Sequence, residues 1–206
     1  MQGSDAPHIV ADNLACQRGD RLLFRKLSLD LVAGEACHVT GANGAGKTTL
    51  IRTLAGLSAP FVGEARCEGT VGLLDERTGL DPERSLGQSL AFWFALDETA
   101  NRNAVLDRLR LTDLVEVPVR YLSTGQRKRA GLARLLGQNA DVWLLDEPLS
   151  GLDTASQDLV CELVAEHIAS KGVALIASHQ ALDVPGLQTL AIEDFVVPLE
   201  PEGWDA

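Results

Sequence analysis

Between Leu27 and Val32 the chain alternates, with Leu27, Leu29 and Leu31 set against Ser28 and Asp30. A period of two predicts a strand with one covered face, and Val10–Cys16 predicts another. Ala36–Thr40 is a short apolar run that leads straight into a Gly-rich turn. Lys47–Ala55 then carries Leu50, Ile51 and Leu54 on one stripe and stops at Gly56, which is the spacing and punctuation of a helix. Thr70–Leu74 reads as a further short strand. From Asp75 to about Gln138 the spacing becomes helical over Leu86–Leu96, Asn101–Leu109 and Ser123–Leu136. Asp141–Asp146 and Val173–Ser178 return to strand, separated by a helix over Thr154–Ser170. Short apolar strands alternating with helices predict an α/β domain on a mostly parallel sheet. Residues 1–206 are read as one domain, with a core from about 1–74 and 139–206 and a helical insert over about 75–138.

Charge narrows the partners. Eighteen basic and 29 acidic residues give a net charge of −11, which argues against a broad nucleic-acid or anionic-membrane surface but leaves room for a local phosphate site. Hydrophobic residues at 46% suffice for a core, and aromatics at 4% leave Ala, Leu and Val to fill it. Cys16, Cys37, Cys67 and Cys161 form no C-x-x-C pair and are expected to be reduced, buried thiols. Met1–Asp5 has neither the basic nor the apolar region of a leader. Gly172–Leu182, the longest run in the C-terminal half without Asp, Glu, Lys or Arg, is far short of the roughly 20 residues of a membrane span.

The sharpest chemical signal is Gly41-Ala42-Asn43-Gly44-Ala45-Gly46-Lys47-Thr48, which matches G-x-x-x-x-G-K-[ST] between a predicted strand and a predicted helix. Glycines let the backbone curl so that successive N–H groups face phosphate oxygens, and the helix start adds a favourable field for anions. Lys47 is placed to reach the β- and γ-phosphates, the Thr48 hydroxyl to ligate Mg²⁺, and Thr49 to continue the phosphate-binding segment. Val142-Trp143-Leu144-Leu145 ends in Asp146-Glu147. A carboxylate at the end of a buried strand needs a partner, and a Mg²⁺ shared with Thr48 supplies one for Asp146, directly or through water. Glu147, one residue on, is then placed to polarise a water in line with the γ-phosphate.

Leu122-Ser123-Thr124-Gly125-Gln126, followed by Arg127-Lys128-Arg129, resembles the LSGGQ signature of ATP-binding cassette (ABC) proteins, with Thr124 in place of the first glycine. Ser123 with Gln126 three residues later is the pattern of a helix N-cap, and Gly125 lets a phosphate approach the backbone. Ser150-Gly151-Leu152-Asp153 resembles the D-loop of that family, and His179 resembles its switch histidine. The motifs span Gly41 to His179 in the family's order.

The resemblance implies a P-loop NTPase with a RecA-like core, a small antiparallel β subdomain and a helical subdomain. It implies ATP and Mg²⁺ as ligands and an ATPase in which Lys47, Glu147 and His179 are catalytic. Thr48 and Asp146 would hold the metal, with Asp75 or Glu76 as a further oxygen in place of the glutamine most members carry. It also implies a homodimer in which Leu122–Gln126 of one copy close over the ATP of the other.

Two departures stand out. Ala15-Cys16-Gln17-Arg18-Gly19 lacks the aromatic that stacks on adenine in most members, leaving Arg18 as the nearest planar group. Leu73-Leu74-Asp75-Glu76 lacks the usual glutamine, and Gln88 lies inside the next helix. With the short chain, the compact region between Leu74 and Leu122, and the Ala177-Ser178-His179-Gln180 ending, these features resemble the ATP-binding subunit of the haem exporter of cytochrome c maturation.

That resemblance implies a peripheral ATPase on the cytoplasmic face of the inner plasma membrane, bound to integral permease subunits. Haem would be handled by the complex rather than by this chain, and nucleic acid would not be a partner. The alternatives are the ATPase of another small ABC exporter, a soluble ABC ATPase acting on DNA or the ribosome, and a non-hydrolysing module. Missing coiled-coil insertions and the net charge disfavour the second, while Glu147 and His179 disfavour the third. Phe92, Trp93 and Phe94 fan around one helix at about 100° each, so at least one ring is expected to point away from the insert's own core. Either all three still pack within the insert, or one of them, with Asp75 or Glu76 at the hinge, lines a cleft that docks the membrane partner.

Overall fold

The computed structural model describes residues 6–197, so Met1–Asp5, read above for a leader, lie outside the described residues. β1 (His8–Arg18) and β2 (Arg21–Val32) form a long hairpin through Gly19, whose φ of +61° suits the tight turn. The expected alternation holds: Leu27 and Leu31 are fully buried, Leu29 is half-buried, and Ser28 and Asp30 face solvent. After β3 (Ala36–Thr40) and α1 (Lys47–Leu54), β4 (Val62–Glu68) pairs antiparallel with β1 and completes a three-stranded sheet in the order β2-β1-β4. The hydrophobic pattern did not predict β4, because it is a half-exposed edge strand with no continuous apolar face.

The second sheet contains β3 together with β5 (Val71–Leu74), β6 (Val142–Asp146), β7 (Val173–Ala177) and β8 (Gln188–Ala191). All its pairs are parallel, in the order β5-β6-β7-β3-β8. β6 and β7 are buried throughout, as strands covered on both faces should be. β8 is short and polar, and it too was absent from the hydrophobic pattern. On one side, α1 and the antiparallel sheet enclose a core of Ile9, Leu14, Phe24, Leu50, Ile51 and Val39. On the other lie α2 (Leu86–Leu96), α3 (Arg102–Arg108), α4 (Thr124–Gln138) and α5 (Thr154–Ala169). The observed starts and stops lie within two residues of those the periodicity predicts, except that β2 begins at Arg21, six residues before the predicted Leu27. The strand over Ala36–Thr40 and the helix over Leu86–Leu96 coincide with theirs.

α2 begins with a capping box: Ser85 Oγ accepts from the Gln88 N–H and Gln88 Oε1 accepts from the Ser85 N–H, each at 3.3 Å. Gln88 is thereby committed to its own helix. The three aromatics of α2 divide as their spacing requires. Phe94 is 2% exposed in the core, the Trp93 indole N–H donates to Gly79 O at 2.9 Å, and Phe92 is 59% exposed. All four cysteines are free; Cys16 and Cys37 are buried as expected, whereas Cys67 and Cys161 are only half-buried, and burial pushes the Cys37 and Cys67 thiols up to about 11. Among the described residues no helix is long and apolar enough to cross a membrane.

One half-buried titratable group gives a pH test of this packing. The His167 ring stacks on Trp143 at 4.0 Å, and Gly172 packs so closely that a Cβ there would sit 2.2 Å from a ring atom. Burial holds the His167 pKa below its ordinary value, although Val173 O and Asp141 pull the other way. The unfolded chain therefore takes up this proton first as pH falls, so stability is full above about 6.5 and declines below it, by at most about 1.4 kcal/mol per pH unit. His167→Gln should flatten the decline in melting temperature between pH 7.5 and 5.5. Parallel declines in the two chains would contradict the assignment.

Candidate functional site

The C-terminal ends of the neighbouring strands β6, β7 and β3 emerge on one edge of the sheet and carry the predicted residues. β3 runs into the loop Gly41–Gly46, and α1 starts at Lys47. Gly46 is left-handed at φ +112°, and a Cβ on it would come within 2.8 Å of Phe24 Cδ1. Only glycine fits there, so the apolar floor formed by Phe24 sets the approach of the loop to the helix. No side chain caps α1. Its first amides therefore remain available to an anion. Lys47 is 6% exposed, and its ammonium donates to Gly41 O at 2.6 Å and Ala42 O at 3.2 Å.

Two adjoining cavities of about 530 and 340 Å³ open here. Thr48, Thr49, Arg18, Glu76 and Glu147 line both of them. Asn43, Gly44 and Leu23 line the smaller one, which gives Arg18 an apolar neighbour on the wall beside the loop. Asp146 is 5% exposed at the end of β6, and its Oδ1 has no hydrogen-bond partner. Burial pushes the Asp146 carboxyl above its usual range, while the adjacent Thr48 hydroxyl pulls it back. An orphaned carboxylate oxygen beside a hydroxyl fits a hard divalent cation. Among the described residues no three His, Cys, Asp or Glu side chains converge as a metal cage. A Mg²⁺ here would therefore take most of its ligands from substrate oxygens and water.

Glu147 stands in the left-handed region at φ +47°, with its N–H bonded to Ala177 O at 2.8 Å. For a residue other than glycine this conformation costs on the order of 1 kcal/mol, and such strain is typically kept where a side chain must be aimed. The Glu147 carboxylate accepts from His179 Nδ1 at 2.8 Å, so the two predicted catalytic groups of different strands form one pair. Asp75 lines the larger cavity with Thr48 and Asp146 but also has partners of its own. Its Oδ1 accepts from the Arg77 N–H at 2.8 Å and its Oδ2 lies 3.8 Å from Arg52 Nη1. Glu76, not Asp75, reaches both cavities beside Thr48 and Glu147.

The signature segment lies apart from this assembly, for none of Leu122–Gln126 lines either cavity. Ser123 caps α4 as expected, in a capping box with Gln126. Gly125 has a packing reason of its own, since a Cβ there would lie 2.7 Å from Gly151 O. The segment Ser150–Asp153 therefore packs against the signature within one chain. Its last residue, Asp153, caps α5 by accepting from the Ser156 N–H at 2.8 Å.

Two neighbours of the site escaped sequence reasoning. Glu193, on the 3-10 turn Ile192–Phe195 after β8, accepts from the Ala42 N–H. Lys128 of α4 is 8% exposed, with its pKa lowered by burial, and faces Asp146, Glu76, Glu147 and Asp75. The Arg127-Lys128-Arg129 run was the only available signal for Lys128, and nothing local pointed to Glu193.

The ABC transporter family matches residues 24–150. The cytochrome c biogenesis ATP-binding export protein CcmA of Novosphingobium aromaticivorans is 50% identical over 187 residues, covering 91% of this chain and 96% of that protein. The protein of the same description from Zymomonas mobilis is 46% identical, covering 91% and 86%. An ABC transporter ATP-binding protein structure from Pyrococcus furiosus superposes with a TM-score of 0.78 at 23% identity, covering 92% of this chain and all of that one, which establishes the fold.

The contact between Gly125 and Gly151 makes a stability prediction. Ser123→Ala removes an N-cap worth about 1 kcal/mol, or about 2–4 °C of melting temperature. Gly125→Ala should cost more, because Gly151 O is backbone and cannot step aside. A Gly125→Ala chain that melts with the wild type would contradict this packing.

Proposed function

Because this chain belongs to the ABC transporter ATP-binding proteins, among the cytochrome c biogenesis ATP-binding export proteins, we propose that it is the ATP-hydrolysing subunit of a haem export complex serving c-type cytochrome biogenesis. The observation that carries the site assignment is the convergence of Lys47, Asp146 and the Glu147–His179 pair at three neighbouring strand ends. Loop amides of Gly41–Gly46 and the Lys47 ammonium hold the β- and γ-phosphates. Thr48 and Asp146 hold Mg²⁺, which neutralises charge on the phosphate oxygens when bound. Asp75, on the wall of the same cavity, is paired with Arg52 at 3.8 Å.

Glu147 takes the proton of the attacking water. His179 occupies one carboxylate oxygen and fixes the direction of the other, so the base is oriented before the reaction begins. Arg18 stacks on the base in place of an aromatic ring. Leu122–Gln126 act on the ATP of a second copy, so the working unit is a homodimer. The integral permease subunits hold it at the cytoplasmic face of the inner membrane. A groove of about 250 Å³ lined by Gly79, Asp81, Arg84, Ser89, Phe92 and Trp93 receives a segment of that partner. Leu96, 63% exposed and one turn from Phe92, extends its apolar rim.

Replacing Glu147 by Gln should leave ATP binding intact and lower turnover by about 10²–10⁴-fold. ATP hydrolysis at the wild-type rate would remove Glu147 from its role. The aromatics separate docking from folding. Phe92→Ala should release the subunit from membranes carrying the permease at an unchanged melting temperature. Phe94→Ala should cost about 3–5 kcal/mol of stability. If Phe92→Ala keeps membrane association, the groove is not the docking site.

A further inference from the structure

The peptide that joins Gly41 to Ala42 is gripped at both ends by opposite charges. Its carbonyl accepts from Lys47 Nζ at 2.6 Å, and its N–H donates to the Glu193 carboxylate. Glu193 reaches this point by strand pairing. β8 runs parallel to β3 with Ala191 opposite Thr40, so the turn after β8 arrives beside the start of the phosphate loop. The fit leaves no slack. Ile192 is fully buried, and a Cβ on Gly41 would lie 2.6 Å from Ile192 Cγ2 and 2.8 Å from Glu193 Oε2. Gly41 itself is at φ +146°, open to glycine.

A carboxylate on the N–H side polarises a peptide and strengthens its carbonyl as an acceptor. Without that acceptor the 41–42 peptide could rotate, and Lys47 would lose its shorter anchor. We propose that Glu193 is a positioning residue for Lys47: it fixes the first peptide of the loop and so presets the ammonium for the phosphates. This rests on reading the loop as the ATP site. It makes a claim opposite to simple electrostatics, since a bare negative charge beside a polyphosphate site would weaken ATP binding and its removal would strengthen it.

The test is ATP titration and steady-state hydrolysis with the full chain carrying Glu193→Ala, Glu193→Asp or Glu193→Gln, with Lys47→Ala for reference. Loss of a charge-assisted hydrogen bond should raise KM and the ATP Kd about tenfold in Glu193→Ala. Glu193→Asp, which keeps the charge but loses reach, should do the same and supplies the answer if the alanine chain fails to fold. Glu193→Gln, which keeps an acceptor, should stay within about threefold of wild type. Because Glu147 and His179 are untouched, kcat should hardly change, whereas a general loosening of the fold would lower kcat and melting temperature without this split. Wild-type KM in both the alanine and aspartate chains, or tighter ATP binding in the alanine and glutamine chains, would overturn the proposal. If Lys47→Ala also binds ATP like wild type, the reading of the loop fails instead.

Discussion

A buried ammonium and a buried carboxylate set the terms for the rest of this molecule. Lys47 and Asp146 are 6% and 5% exposed, and charges so placed cost several kcal/mol unless they are compensated. Lys47 is compensated by carbonyls of its own loop, which ties the loop's shape to the position of the ammonium. Asp146 is compensated only in part: the Thr48 hydroxyl is close and the Lys128 ammonium faces it, but Oδ1 has no partner. A fold that tolerates this at the end of a fully buried strand is built around a ligand carrying both signs of charge. ATP with Mg²⁺ would satisfy both deficits at once, with phosphates for the lysine and the amides, and a cation for the carboxylate.

The parallel sheet makes such a site possible. β6, β7 and β3 are neighbours, so residues distant in the chain surface side by side at one edge, where ligands of open α/β sheets bind. From there a continuous chain of contacts leads to the insert. Glu147 O accepts from the Ser150 N–H at 3.3 Å, and Gly151 packs on Gly125 at the start of α4. The catalytic turn and the signature are thus mechanically joined in one chain while the signature stays out of that chain's own cavities.

Much of this was legible in the sequence because the deciding features are local. The phosphate loop, the acidic strand end and the N-cap of α4 each fit within eight residues, and their spacing carries the chemistry. β4 and β8 were not legible, since edge strands need no continuous apolar face and theirs are largely exposed. Missing β8 meant missing Glu193, whose contact with Ala42 spans 151 positions and exists only through the pairing of β8 with β3. The surroundings of Asp75 were likewise set by distant partners: it lies on the cavity wall with Thr48 and Asp146 and 3.8 Å from Arg52 on α1. The aromatics of α2 show the middle case. Their spacing required one ring to leave the core, and only packing identified it as Phe92.

The central claim is that one chain holds only half of the working site. Mixing a Lys47→Ala chain with a Ser123→Arg chain, each inactive alone, tests it most directly. A head-to-tail pair with one of each leaves one phosphate loop facing one intact signature, so ATP hydrolysis should reappear on mixing. Hydrolysis by either variant alone at the wild-type rate, or no recovery from a mixture shown to form mixed dimers, would contradict the account.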